Sequence, residues 1–245
     1  MAPTQLVAGT VYYVVSSTAN NFKASLTHSG TEVDITVAST TADIVVSAGQ
    51  RIVTSGNQTY ADTGSVRAAS PGVNLRSTGN AGTITFNRAV DADSTSQNRG
   101  LTINAPTTLF SSTVGSTTRL GTLTSDTTGT TTHTGNVKAT TMNFNDNVVF
   151  AANSTLTATG GTVAFASGKT VNSDGTGTRN LTINATTSTL AASIGATTSF
   201  NKVTTDSIGT TTISGGSIAA TTLDFNDAVL IGGAVTLTGS TINFN

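Results

Sequence analysis

The chain has 245 residues, 11 of them Lys or Arg and 12 Asp or Glu, for a net charge of −1. Its basic residues are scattered singly, so it has no long-range pull on nucleic acid or anionic lipid, whose recognition needs clustered Lys and Arg. It has no Cys, which excludes a disulfide framework and thiol chemistry, and no run approaching the roughly 20 apolar residues of a membrane-spanning helix.

About a fifth of the residues are Thr, there are 25 Gly and 3 Pro, and Glu32 is the only glutamate. Thr, Val and Ile are stiff at χ1 and favour extended backbone, while the good helix formers Glu, Lys, Gln and Met are scarce. The composition therefore predicts strands. A disordered chain would combine low hydrophobicity with high net charge, and here 36% of residues are hydrophobic.

In chain order, the start "MAPTQLVAGT" lacks the basic segment and apolar run of a signal peptide, so an export signal is expected to lie outside this stretch. Residues 1–41 contain three strand-like runs, "TVYYVV", "NFKASLT" and "EVDITV", separated by "SSTAN" and "HSG". They predict an antiparallel three-stranded meander, suited to cap the raw edge of whatever follows.

Residues 42–245 follow a different rhythm. "LTINA" at 101–105 returns at 181–185, and the 35 residues from Leu101 match those from Leu181 without a gap. "ATTMNFNDNVVF" then matches "ATTLDFNDAVLI", while "QTYAD" and "TITFN" upstream belong to a more diverged copy. Within the 80-residue unit, segments with two apolar residues one apart begin at Leu101, Leu120, Met142 and Val163, then at Leu181, Phe200, Leu223 and Ile242. One returns about every 20 residues, the size of a β-helix coil, so each sequence repeat is expected to make four coils.

Alternation puts Leu101 and Ile103 on one face and Thr102 and Asn104 on the other. The expected fold is all-β: a right-handed parallel β-helix of about ten coils with inward rows of Leu, Ile, Val, Phe and Met. The competing architecture, a tandem of sandwich domains of about 80 residues, leaves the 20-residue sub-repeat unexplained. The final "STINFN" begins a coil without a polar capping turn. That predicts either a piece of a longer array or self-association through exposed β-edges at the ends.

The segments "LTINA", "TTDSIGTTTISGG", "LDFNDAV" and "VTLTGSTINF" make the chain from about 56 to 245 resemble the filamentous-haemagglutinin-like and autotransporter-like repeat proteins of bacterial surfaces. The resemblance implies a β-helix, a secreted or cell-surface location, and an adhesive or scaffolding role toward a host-surface or carbohydrate target. "AGTVYYVVSSTANNFKASLT" separately resembles a short β module of phage tail proteins and large extracellular proteins, which leaves a phage tail fibre open.

Candidate chemistry is sparse, and the expectation is of a non-enzyme with no catalytic, cofactor or metal site. Asp91 and Asp93 are the closest acid pair and fit a solvated loop better than paired acid catalysis. Asp126 and Asp206, and Asp146 and Asp227, recur in step with the repeat, which predicts corner residues bonding nearby backbone. His28 and His133 are isolated, and His133 becomes Ile213 in the next copy.

"DADSTSQN" and "NSDGTG" are oxygen-rich, but neither has the spacing of a calcium loop. Phosphate-binding and dinucleotide glycine patterns are absent. "GTTTHTG" and "GTTTISG" resemble the Thr-x-Thr faces of ice-binding solenoids. Because that motif comes once per repeat, an ice-binding face is expected to be incomplete.

Overall fold

The computed structural model describes residues 13–18, 21–25, 45–46, 51–61, 63–66, 72–94, 99–175 and 177–245. The chain divides into two compact units, Met1–Ala42 and Asp43–Asn245. In the first, Tyr13–Thr18 pairs antiparallel with Asn21–Ser25, so the first strand runs on through "SST", residues the sequence suggests as a separator. The expected third strand, "EVDITV", and His28 lie outside the described residues.

The second unit is a β-solenoid. Its described residues form strands and corners with no helix, and apart from the first hairpin every strand pairing among the described residues is parallel. Three sheets run along it. The first stacks nine passes, at 51–54, 73–77, 100–104, 120–125, 141–144, 162–165, 187–190, 210–213 and 228–231. The second stacks 58–60, 83–86, 107–110, 130–133, 147–150, 170–173, 193–194, 217–219 and 236–238. The third runs from Val45–Val46 through 64–66, 90–92, Val114, 137–138, 154–158, 180–185, 200–205 and 220–225 to Thr241–Phe244.

Between Ile52 and Ile231 the chain rises eight turns, so coils average about 22 residues and the count is about eight turns rather than ten. At the roughly 4.8 Å spacing of paired strands, eight rises extend about 40 Å.

Each coil hides alternate residues, as the buried-intermediate alternation of 141–150 shows. Leu75, Ile103, Phe144, Phe165, Leu190 and Ile213 occupy one inward row of the first sheet and are all buried. In the second sheet Tyr60, Phe86, Phe110, His133 and Phe150 stack ring on ring, with successive centroids 5.0, 4.8, 4.8 and 5.7 Å apart. Such pairs add roughly 0.5–1.5 kcal/mol each beyond area burial. One coil cannot cover its own apolar row, so this stacking supplies the stability.

Corner glycines hold the coils close. A Cβ on Gly129 would lie 2.5 Å from the Pro106 carbonyl oxygen, and one on Gly209 2.3 Å from that of Thr186; both have φ above +100°. This fixes the glycine that opens "GTTTHTG" and "GTTTISG".

The sequence repeat and the coil are out of phase. Leu101 stands in the first sheet, over Val73 and under Leu123, but its equivalent Leu181 stands in the third, between Ser154 and Val203. Likewise Thr131 belongs to the second sheet and its equivalent Thr211 to the first. From Leu101 to Leu181 the chain lays eleven strand segments on three sheets, or three and two-thirds turns. The expectation of four whole coils per repeat is thereby corrected.

Candidate functional site

The acids fall into three kinds of setting. Asp91 accepts backbone N–H bonds from Thr117 (2.9 Å) and Thr118 (3.3 Å) one coil on, while Asp93 takes a two-point ion pair from Arg99 at 2.6 and 3.0 Å. Neighbours in sequence, they serve separate structural partners.

Asp146 and Asp227 build the second setting, a clamp made twice. Asp146 sits at a corner, buried, and accepts the Ser125 hydroxyl on Oδ1 at 2.5 Å and the Thr131 hydroxyl on Oδ2 at 2.6 Å. Asn145 completes it: its backbone N–H donates to Ser125 Oγ and its side-chain amide to the Ser125 carbonyl oxygen. One repeat later Asp227 accepts Thr205 and Thr211, both at 2.7 Å, and Asn226 repeats the two bonds to Thr205. The Asp bonds hydroxyls of the preceding coil rather than nearby backbone, and the Asn makes the backbone contacts. Burial raises the Asp146 carboxyl above its ordinary range, against the two hydroxyls that lower it.

Asp126 and Asp206 form the third setting, half-exposed at the preceding corners. Burial raises both, and the neighbouring acid of the clamp adds to the rise for Asp206. Each clamp thus has one carboxylate with its hydrogen bonds supplied inside and one facing outward. Paired acids of unequal environment are the raw material of acid-base catalysis, but the inner member here has both oxygens occupied by core hydroxyls.

His133 is fully buried between Phe110 and Phe150, with Phe144 edge-on at 5.6 Å, and neither ring nitrogen has a partner. Burial lowers its pKa to about 3, so it is a neutral member of the aromatic stack. Among the described residues no group of three or more His, Cys, Asp or Glu could hold a metal ion. In "NSDGTG", Asp174 takes a two-point ion pair from Arg179 at 2.7 and 2.8 Å.

An open groove of about 540 Å³ lies at the corner joining the first and second sheets. Its floor is the two-residue corner Ala105 and Pro106; its walls are the longer corners at 78–82 and 126–129 in the coils on either side. Arg51, Asn74, Arg76 and Asn104 line it from the first sheet. A long corner beside a short one makes this recess, a difference in spacing visible in the sequence only once the corners are located.

The outward faces show what the periodicity alone missed. Thr122, Thr141, Thr162, Thr187 and Thr210 stand one above another in five successive coils of the first sheet. A second row two residues on holds Thr102, Thr124, Asn143, Ala164, Thr189 and Thr212. The GTTT motif still comes once per repeat, but threonines from other segments reach the same face, so the first row is complete over five coils while Asn143 and Ala164 interrupt the second. Neither row carries a charge.

No family model, no curated protein and no solved structure matches the chain.

Proposed function

We propose that this chain is a non-enzymatic structural segment of an extracellular bacterial repeat protein: a right-handed β-helical rod, capped by its N-terminal unit, that serves as an adhesive stalk or as the subunit of a surface fibre. One observation carries the reading, the unbroken ladder of parallel strands over eight turns around a continuous apolar and aromatic column. Such a rod resists extension and holds a distal element away from a surface. Right-handedness follows the general preference of parallel strand connections.

In the fibre variant another copy pairs with the strands 228–231, 236–238 and 241–244, whose inward rows carry Ile231, Ile242 and Phe244. A second copy laying a coil there would make a heterologous contact, which propagates. Electron microscopy of the purified chain across a concentration series tests this. Filaments that disappear with Phe244→Lys support end-to-end assembly; monomers alone at high concentration refute it.

The two threonine rows favour a second reading, an ice-binding face. Positions about 4.8 Å apart along the rod and about 6.7 Å across it offer an uncharged lattice of hydroxyls and methyls, interrupted in the second row by Asn143 and Ala164. Thermal hysteresis that Thr162→Lys abolishes would establish this reading; its absence from the intact chain would remove it.

A further inference from the structure

The corner groove has the chemistry of a ligand site, and we propose that it binds an acidic polysaccharide, a chain of sugars bearing carboxylates beside free hydroxyls. This names the target of an adhesive rod, and so rests on that reading of the molecule.

Three observations converge. First, Arg51 and Arg76 stand on adjacent coils of the first sheet, diagonal neighbours in the ladder, where Arg51 faces Asn74 and Arg76 faces Val53. Both are exposed and neither has a carboxylate partner among the described residues, although Arg99, Arg179 and Lys202 are all ion-paired. Two free guanidiniums side by side suit planar, two-point recognition of carboxylates.

Second, Asn104 donates its side-chain amide to Asn74 Oδ1 at 3.1 Å, leaving the Asn74 amide nitrogen and the Asn104 side-chain carbonyl oxygen without partners among the described residues, beside the arginines. That pair offers one donor and one acceptor, as a sugar hydroxyl requires.

Third, Asp126 lines the other end, where it accepts the Thr128 hydroxyl at 3.0 Å. A polyphosphate, charged along its whole length, would be repelled there, whereas sugar hydroxyls could donate to the carboxylate. The lining has no aromatic ring on which a neutral sugar could stack, so recognition must come from charge and hydrogen bonds. The groove crosses four successive coils, which suits an extended chain rather than a compact ligand.

The test is calorimetric titration of the full chain with oligogalacturonate, with dextran sulfate and neutral dextran as comparison probes. Variants are Arg51→Gln/Arg76→Gln and, as a distant control, Lys138→Gln, whose exposed side chain projects from the third sheet. The expected result is salt-sensitive oligogalacturonate binding that the double arginine variant weakens at least about tenfold, with Lys138→Gln unchanged and dextran inert. No oligogalacturonate binding by the parent chain, or equal binding by the double variant, overturns the proposal. Binding of dextran sulfate alone also overturns it, as attraction to charge without sugar recognition. Rods in the microscope without glycan binding would leave the stalk standing and remove only the groove.

Discussion

Replacing His133 by Phe should stabilise the solenoid, and the gain should grow with acid. The ring lies between Phe110 and Phe150 at 4.8 and 5.7 Å with both nitrogens unpartnered, so a phenyl ring in the same slot removes two buried polar atoms from the aromatic column. Relief of an unsatisfied buried group amounts to about 1–3 kcal/mol at neutral pH.

The pH term has a definite sign. The folded-state pKa is depressed from 6.5 to about 3 by burial, so the unfolded chain takes up the proton first. The stability tied to neutral His133 is therefore fully present above pH 6.5 and is lost as pH falls toward 3. At pH 4, with about 1.4 kcal/mol per pH unit, parent and variant should differ by about 3 kcal/mol more than at pH 7. Urea denaturation of both at pH 7, 5 and 4, followed by circular dichroism, reads this directly. The carboxylates and His28 are common to both chains and drop out of the difference. A stability difference constant across the three pH values would refute the argument, since it would mean that folded His133 reaches a proton without cost.

Three other outcomes follow from the corners. Asp146→Ala strips the acceptor from two buried hydroxyls, Ser125 and Thr131, and should lower stability by about 3 kcal/mol, measured as a shift in urea midpoint. Asp126→Asn should stabilise at pH 7, because burial disfavours its charged form. That gain should vanish as pH falls below the ordinary carboxylate range near 4, which a melting series from pH 3 to 7 would show. Gly129→Ala should destabilise more than Gly168→Ala: both have positive φ, costing about 1–2 kcal/mol, but only Gly129 would also drive a Cβ into backbone, and paired thermal melts compare them.

Strand composition, alternation and the existence of stacked coils were legible in the sequence, because burial selects every second residue and spares few alternatives. "LTIN" displays this in four letters, with Leu101 and Ile103 buried and Thr102 and Asn104 facing outward. The phase of the repeat was not legible. Spacing between apolar pairs looks the same whether the chain completes a turn or stops two sheets along, and the strand Asn180–Leu190 bends through a corner at Thr186 without a turn signal. The clamp was half visible: recurrence marked Asp146 and Asp227, but their partners, Ser125 and Thr131 for the first and Thr205 and Thr211 for the second, are short polar residues at inward positions, where alternation leads one to expect apolar side chains. The corner groove left no local motif, since it depends on unequal corner lengths in adjacent coils. His133 could have been singled out by one sign, an imidazole in line with Phe86, Phe110 and Phe150 once the ladder register is known.

The mismatch between eleven strands and three sheets turns each repeat a third of the way round the axis. The Asp146 clamp sits on one edge of the prism and the Asp227 clamp on the next, though the two are copies. An array built by duplicating this unit would carry any surface feature in three bearings in succession, like rungs set spirally on a mast. The original bearing would return only after three repeats and eleven turns, about 50 Å along. Gene duplication in such a molecule lengthens the rod and at the same time distributes its contacts around the circumference, so a partner approaching from any side meets one.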